Sequence, residues 1–337
     1  MEEKKTCGEK YCVKYQIINW LAVLGHLAAS VIFTVLYYER DPLQIPYTET
    51  YLSWNKTGNL SNCPKGSRPL ETSSEGFYCI QPTTGPLNCD DAKPPKCDGL
   101  DLGWLIISFH LLSFIFQALA GFTDCCKDGC CGYKYSTMIE VNGKNPLRFI
   151  EYSISASIML MCIAFLNGVT DINLIASIAV LTACCQLCGL VVEYIEEVWL
   201  QYILHFTGWI QFICAYGIIS HAFFKSINAV DDVRPPDFVY VIVITLFLLY
   251  ASFGIVQLSE LICRTSIERR GGVGIGRFAS VEYVCCDGCP TWCRNKDNTA
   301  INNQYKEILY VSLSLGAKLV LGTLIFTNVL FSTRETS

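Results

Sequence analysis

Seven apolar runs, each about 20 residues or longer and so long enough to cross a bilayer, leave this chain few options. They cover roughly 17–38, 102–122, 146–166, 172–192, 199–223, 238–262 and 307–331. At that depth no water satisfies backbone N–H and C=O groups, so each run must be helical. The expected fold class is all-α, a seven-transmembrane helix bundle. Only residues 193–198 separate the fourth and fifth runs, which predicts a tight antiparallel pair. Charged residues make up 16% of the chain, against about 25% in soluble domains. A soluble enzyme is thereby excluded, and the lipid bilayer is the first partner. A net charge of −5 carries no nucleic-acid footprint. The first run is long enough to span, which predicts a retained helix rather than a cleaved leader.

The domain organisation expected is a tail over 1–16, the bundle over 17–331 and a short tail over 332–337. Two long loops interrupt the bundle, at 39–99 and 263–306. The N-terminal tail and the short loops on its side carry fifteen lysines and arginines, from Lys4 to Lys306. Short segments on the other side carry Lys225, Arg234 and Arg334. The positive-inside bias predicts a cytoplasmic N-terminus and an extracellular C-terminus, in the plasma membrane.

The first loop agrees with that orientation. It holds Cys63, Cys79, Cys89 and Cys97, an even number suited to two disulfides in three alternative connectivities. It also holds glycosylation sequons at Asn55 and Asn59. Cysteines on the other side cluster at Cys125, Cys126, Cys130 and Cys131, and at Cys285, Cys286, Cys289 and Cys293. No histidine accompanies them, so reduced or acylated juxtamembrane thiols are the preferred reading over zinc, and no metal site is expected.

Lys318 lies near the middle of the last run, in Ser312-Leu-Ser314-Leu-Gly-Ala-Lys318. An ammonium at that depth costs a few kcal/mol on insertion scales, so it needs a partner or a task. One reading is an ion pair that locks two helices. The other is a buried amine that carries a covalent Schiff base to a carbonyl ligand. The third run supplies the partner in Pro146-Leu-Arg148-Phe-Ile-Glu151-Tyr152-Ser-Ile-Ser155. Glu151 lies about 9 Å into its run and Lys318 about 16 Å into its own, at 1.5 Å per residue. A lysine leaning back about 5 Å toward its helix N-terminus brings the two groups to one level. Ser314 and Ser155, each one turn away, are the expected hydrogen-bond partners.

His26, Ser113 and Gln117 are expected to form a small polar cavity in the inner half. His110 and His205 are read as satisfied structural histidines. Glu193 and Glu260 lie near inner helix ends where they face water, with pairing of Glu193 to Arg148 as an alternative. Glu307 opens the seventh run, where an acid favours the helix dipole. Aromatic residues of the fifth and sixth runs fall near helical spacing. They fit bundle packing, or a slot for an elongated apolar ligand with Trp209 as its site residue.

The third-run stretch 148–157 and the seventh-run Ser314-Leu-Gly-Ala-Lys318 together resemble the heliorhodopsins, viral members among them. These are retinal proteins of inverted membrane orientation, and the resemblance extends over all seven runs. It implies all-trans retinal bound to Lys318 as a protonated Schiff base, with Glu151 as counterion and Ser314 nearby. It puts His26, Ser113 and Gln117 in the inner polar cavity, although Gln117 stands where the family has histidine and an amide cannot titrate. Glu193 and Glu307 match family acids at inner helix ends and, with Arg148, make a candidate proton path. A homodimer and a signalling partner are implied as well.

Three functions remain from the sequence. The first is a non-enzymatic light sensor in which photoisomerisation disrupts the contact with Glu151. The second is a light-gated proton conductance, with Glu151, Glu193, Glu260 and Glu307 on the inner side and Asp171, Asp231 and Asp232 at the outer mouth. The third is a non-retinal receptor or scaffold in which Lys318 and Glu151 are only an ion pair.

Overall fold

The computed structural model describes residues 3–39, 44–46, 48–57, 68–72, 76–86, 99–125, 135, 139, 143–228, 237–268 and 299–327. Its helices are α1 (Glu3–Tyr38), α2 (Leu102–Cys125), α3 (Pro146–Leu166), α4 (Ile172–Tyr194), α5 (Val198–Asn228), α6 (Asp237–Glu268) and α7 (Thr299–Ile325). All seven are long and apolar enough to cross a membrane, and the chain is an integral multi-pass membrane protein. Each helix packs on its neighbour in sequence, and α7 returns to α1 and also touches α2. The bundle expected from the sequence therefore closes into a ring.

The helix ends have identifiable causes. Asn145 caps α3 by accepting from the Arg148 N–H at 3.0 Å, and Pro146 follows where its missing N–H costs nothing. Asp171 caps α4 by accepting from Asn173 and Leu174 N–H. The turn between them uses Gly168 at φ 82°, a conformation that glycine adopts without strain. Asp101 accepts from Gly103 and Trp104 N–H at the start of α2, and from the Tyr37 hydroxyl at 2.6 Å. One carboxylate thus ties the end of α1 to the start of α2.

The loop between α1 and α2 contains strands that periodicity did not reveal. These are β1 (Gln44–Pro46), β2 (Thr48–Thr57), β3 (Arg68–Thr72), β4 (Gly76–Pro86) and β5 (Gly99–Asp101). β1 pairs with β5, and β4 lies between β2 and β3, all antiparallel. Thr48 ties this sheet to the α3–α4 turn, with its N–H donating to Thr170 O at 3.0 Å.

The apolar core sits at the sheet end of the bundle, where Leu102, Ile106 and Phe109 meet Leu160, Ile163 and Leu321. Toward the opposite end the interior becomes polar. That asymmetry positions the site.

The seventh helix differs from the sequence reading. It starts at Thr299, about two turns before Glu307. Glu307 is therefore not a helix-opening acid; it lies inside the helix and is fully buried. Lys306, counted above among loop cations, is buried beside it.

Candidate functional site

Two buried charge clusters occupy the polar half. The first is built on one turn of α7 and one of α3. Helical spacing puts Ser314 on the same face as Lys318, and Ser155 on the same face as Glu151. Lys318 and Glu151 are each 2% exposed. The lysine Nζ donates to Glu151 Oε1, to Ser113 Oγ at 2.5 Å and to Ser314 Oγ at 3.1 Å. Glu151 Oε1 also accepts from Ser113 Oγ at 2.6 Å and Ser155 Oγ at 3.0 Å. Three hydroxyls thus surround one ion pair, which is how a charge pair is tolerated at low dielectric. Lys318 Nζ stands 5.2 Å from the centroid of the Tyr152 ring.

The second cluster lies about one turn further toward the end of the bundle that carries the α2–α3 connection. Arg148 binds Glu307 through Nη1 and Glu193 through Nη2. Lys306 Nζ lies 3.3 Å from Glu193 and 3.2 Å from Glu260, and donates to Gly143 O at 3.0 Å. Asn145 joins in through its backbone N–H to Glu193 and its amide to Glu307. The Arg148 guanidinium lies 4.0 Å from the Tyr310 ring centroid. Tyr135 donates to Asn145 Oδ1. Burial, with the Glu307 carboxylate beside it, pushes its phenol above the ordinary range, so it stays a neutral donor.

Glu193 and Glu260 therefore face cations rather than water, and Glu193 does meet Arg148. Lys306, Asn145 and Tyr135 were missed. The proline-marked helix start was a signal for Asn145 as a cap. Lys306 carried none, because it lies ahead of the apolar run.

The two clusters are linked. Tyr152 donates its hydroxyl to Tyr310 O at 3.0 Å, between Lys318 on one side and Arg148 on the other. A cavity lined by Asn19, Gln117, Tyr135, Arg148, Glu151 and Glu307 separates them on the α1–α2 side.

His26, Ser113 and Gln117 do not form one group. Ser113 belongs to the Lys318 cluster. His26 lies 3.0 Å from His110, Nδ1 to Nδ1, and both are fully buried. Gln117 lies in the cavity, where its backbone carbonyl accepts from Asn19 at 3.1 Å. Its side-chain oxygen has no hydrogen-bond partner among the described residues.

A second cavity runs between α3, α4, α5 and α6. Its walls include Tyr152, Trp209, Phe212, Tyr250 and Phe253. Of the aromatic residues noted in the sequence, Phe206 is instead 54% exposed. Gly189 and Gly254 leave room at this cavity. A Cβ on Gly189 would stand 2.5 Å from the Phe149 ring, and one on Gly254 2.7 Å from the Trp209 ring. Gly189→Ala is expected to lower stability by about 1–3 kcal/mol through overpacking, read as a lower melting temperature. A melting temperature equal to wild type would show that Phe149 yields freely.

Cys63, Cys89, Cys97 and Asn59 lie outside the described residues, as do Asp231, Asp232 and the cysteine clusters at 126–131 and 285–293. Asn55 and Cys79 are backbone partners across β2 and β4.

The model of the Heliorhodopsin family matches residues 81–262, more than half of the chain. No curated protein matches it.

Proposed function

This chain belongs to the heliorhodopsin family, and from that membership we propose that it is a light sensor whose switch is the Lys318–Glu151 contact. Heliorhodopsins are light-sensing retinal proteins. When bound, all-trans retinal joined to Lys318 as a protonated Schiff base supplies visible absorption and an isomerisation that re-aims the N–H at its end.

The residues fit such a group. Two lysines are deeply buried among the described residues, Lys306 and Lys318. Lys306 is engaged by two carboxylates and a carbonyl at one end of the bundle. Lys318 lies mid-span, beside a tyrosine that also lines the aromatic cavity. That juxtaposition of buried amine, carboxylate and apolar slot is the observation that carries the reading.

Glu151 holds positive charge at the Lys318 nitrogen, and Ser113 and Ser155 hold Glu151 in place. With that N–H turned away, Glu151 would share its negative charge with those hydroxyls. Tyr152, Tyr310 and Arg148 then connect the disturbed pair to the second cluster. A local change in charge contact is thereby offered a bistable packing readout.

A light-gated proton conductance is the second reading, favoured by the run of ionisable groups from Glu151 through Glu307 and Glu193 to Glu260. That run leads to one end only. Past the His26–His110 pair, the sheet half is filled by the apolar core, which favours sensing. Voltage-clamped cells decide: light-dependent currents that reverse with the proton gradient would establish conduction. No observation favours a non-retinal receptor or scaffold. The lysine and arginine bias supports a cytoplasmic N-terminus in the plasma membrane, and a homodimer with a signalling partner completes the proposal.

The test is the absorption spectrum of protein expressed with all-trans retinal. A band to the red of free retinal, bleached by hydroxylamine, is expected; a well-folded sample without it sinks the reading. Glu151→Gln is expected to move that band further to the red. The carboxylate stabilises charge localised at the nitrogen, mainly in the ground state, so its loss narrows the gap. A band that stays in place would remove Glu151 as counterion.

A further inference from the structure

Three polar side chains of the aromatic cavity form a chain that no charge or motif announces. The Trp209 indole N–H donates to His205 Nε2 at 2.9 Å. His205 Nδ1 lies 3.1 Å from Gln257 Oε1, and Gln257 Nε2 donates to Gly189 O at 3.1 Å. The chain crosses from α5 to α6 to α4, and all four residues line the cavity.

Its direction is fixed by chemistry. An indole nitrogen only donates, so His205 Nε2 must accept and the imidazole proton sits on Nδ1. That proton goes to Gln257 Oε1, which leaves the amide Nε2 for a backbone carbonyl. Every step has one possible polarity. An imidazolium would set two N–H donors against each other at Trp209, so the geometry requires His205 to be neutral.

The chain also fixes a ring. Gly254 lacks a Cβ where one would stand 2.7 Å from the Trp209 ring, so the indole lies directly on α6. Trp209 meets Phe212 edge-on at 5.9 Å between centroids, and Phe212 stacks on Phe247 at 5.7 Å and on Tyr250 at 6.2 Å. The angle of one indole therefore sets the aromatic wall behind it.

We propose that His205 is a positioning residue for the chromophore slot: by accepting from Trp209 and donating to Gln257, it locks the indole as a wall and so sets the colour of the bound pigment. The proposal rests on the retinal reading above. It makes Gln257 the residue that selects the His205 tautomer, and Gly254 the residue that lets the wall lie flat.

The test uses the full-length protein with and without all-trans retinal. Ultraviolet resonance Raman of the retinal-free protein reports indole N–H hydrogen bonding, and a Trp209→Phe difference spectrum identifies this indole. His205→Phe is expected to lose the hydrogen-bonded indole signal and to displace the visible band of the loaded protein. His205→Gln, which keeps an acceptor, is expected to return both toward wild type. Gln257→Leu frees the tautomer and is expected to weaken the same signal, so the chain can be read even where His205→Phe does not fold. An indole signal unchanged in His205→Phe and Gln257→Leu overturns the proposal, and so does a lost signal with an unmoved visible band. A wild type that forms no visible band overturns the retinal reading instead, with the indole signal still reporting the clamp.

Discussion

Lys318→Arg is expected to give a folded but colourless protein, and Lys318→Ala a protein both colourless and destabilised. The two substitutions separate two tasks of one residue. Arginine keeps a cation beside Glu151, but its delocalised guanidinium is not the amine that condenses with a carbonyl ligand. Alanine removes the charge as well. Glu151, 2% exposed, is then left with the Ser113 and Ser155 hydroxyls as its hydrogen-bond donors among the described residues. Breaking a buried pair by removing one member costs about 3–5 kcal/mol, because the other charge stays behind uncompensated. Lys318→Ala with Glu151→Gln is expected to recover most of that loss, as coupled residues do. Visible spectra after retinal addition and melting of the retinal-free protein read the two effects independently. A visible band in either single variant would refute the attachment site. An alanine variant that melts like wild type would refute the ion pair's structural role.

Arg148→Leu is expected to be as damaging to stability, for a different geometric reason. One guanidinium serves Glu307 and Glu193 together and lies on the Tyr310 ring. Its removal leaves two buried carboxylates facing each other with Lys306 as the remaining cation among the described residues of the cluster. A loss of about 3–5 kcal/mol follows from the uncompensated charge. Arg148→Leu combined with Glu307→Gln is expected to restore part of it, since the amide needs no counter-charge and still accepts from Asn145. Arg148→Lys is not a conservative control, because an ammonium cannot present two parallel donor edges. Thermal unfolding in one detergent across the three variants is the measurement. Equal melting of wild type and Arg148→Leu would show that water reaches the cluster and screens it.

Much of the fold was legible because a bilayer admits few solutions. Seven apolar runs required seven helices, and the depth of Glu151 and Lys318 along theirs was enough to predict their meeting. The same hydropathy logic failed at Lys306 and Glu307. Their charges cancel through space against Arg148, Glu193 and Glu260, and a reading along the chain has no access to that cancellation. The strands between α1 and α2 escaped because β2 and β4 mix polar and apolar residues without strict alternation. Gln117 and His26 were placed together by type, whereas the structure sorts them by height in the bundle. His110, read as a satisfied structural histidine, has His26 as its partner at Nδ1. His205 and Gln257 were invisible as a unit, since they stand on different helices and meet through a hydrogen bond that only the folded bundle brings about.

The placement of the charges also bears on how the chain is made. As α3 enters the membrane, Arg148 and Glu151 lie three residues apart on one helical face, close enough to neutralise each other. That pairing lets the helix insert without any partner. In the finished bundle neither keeps the other: Arg148 turns to Glu307 and Glu193, and Glu151 turns to Lys318. The helix that draws both away is α7, synthesised after α3. Assembly therefore involves an exchange of salt bridges, from a pairing within α3 to pairs that join α3 to α4 and α7. A chain stopped before α7 is expected to keep that pairing within α3 and to leave Glu193 without Lys306.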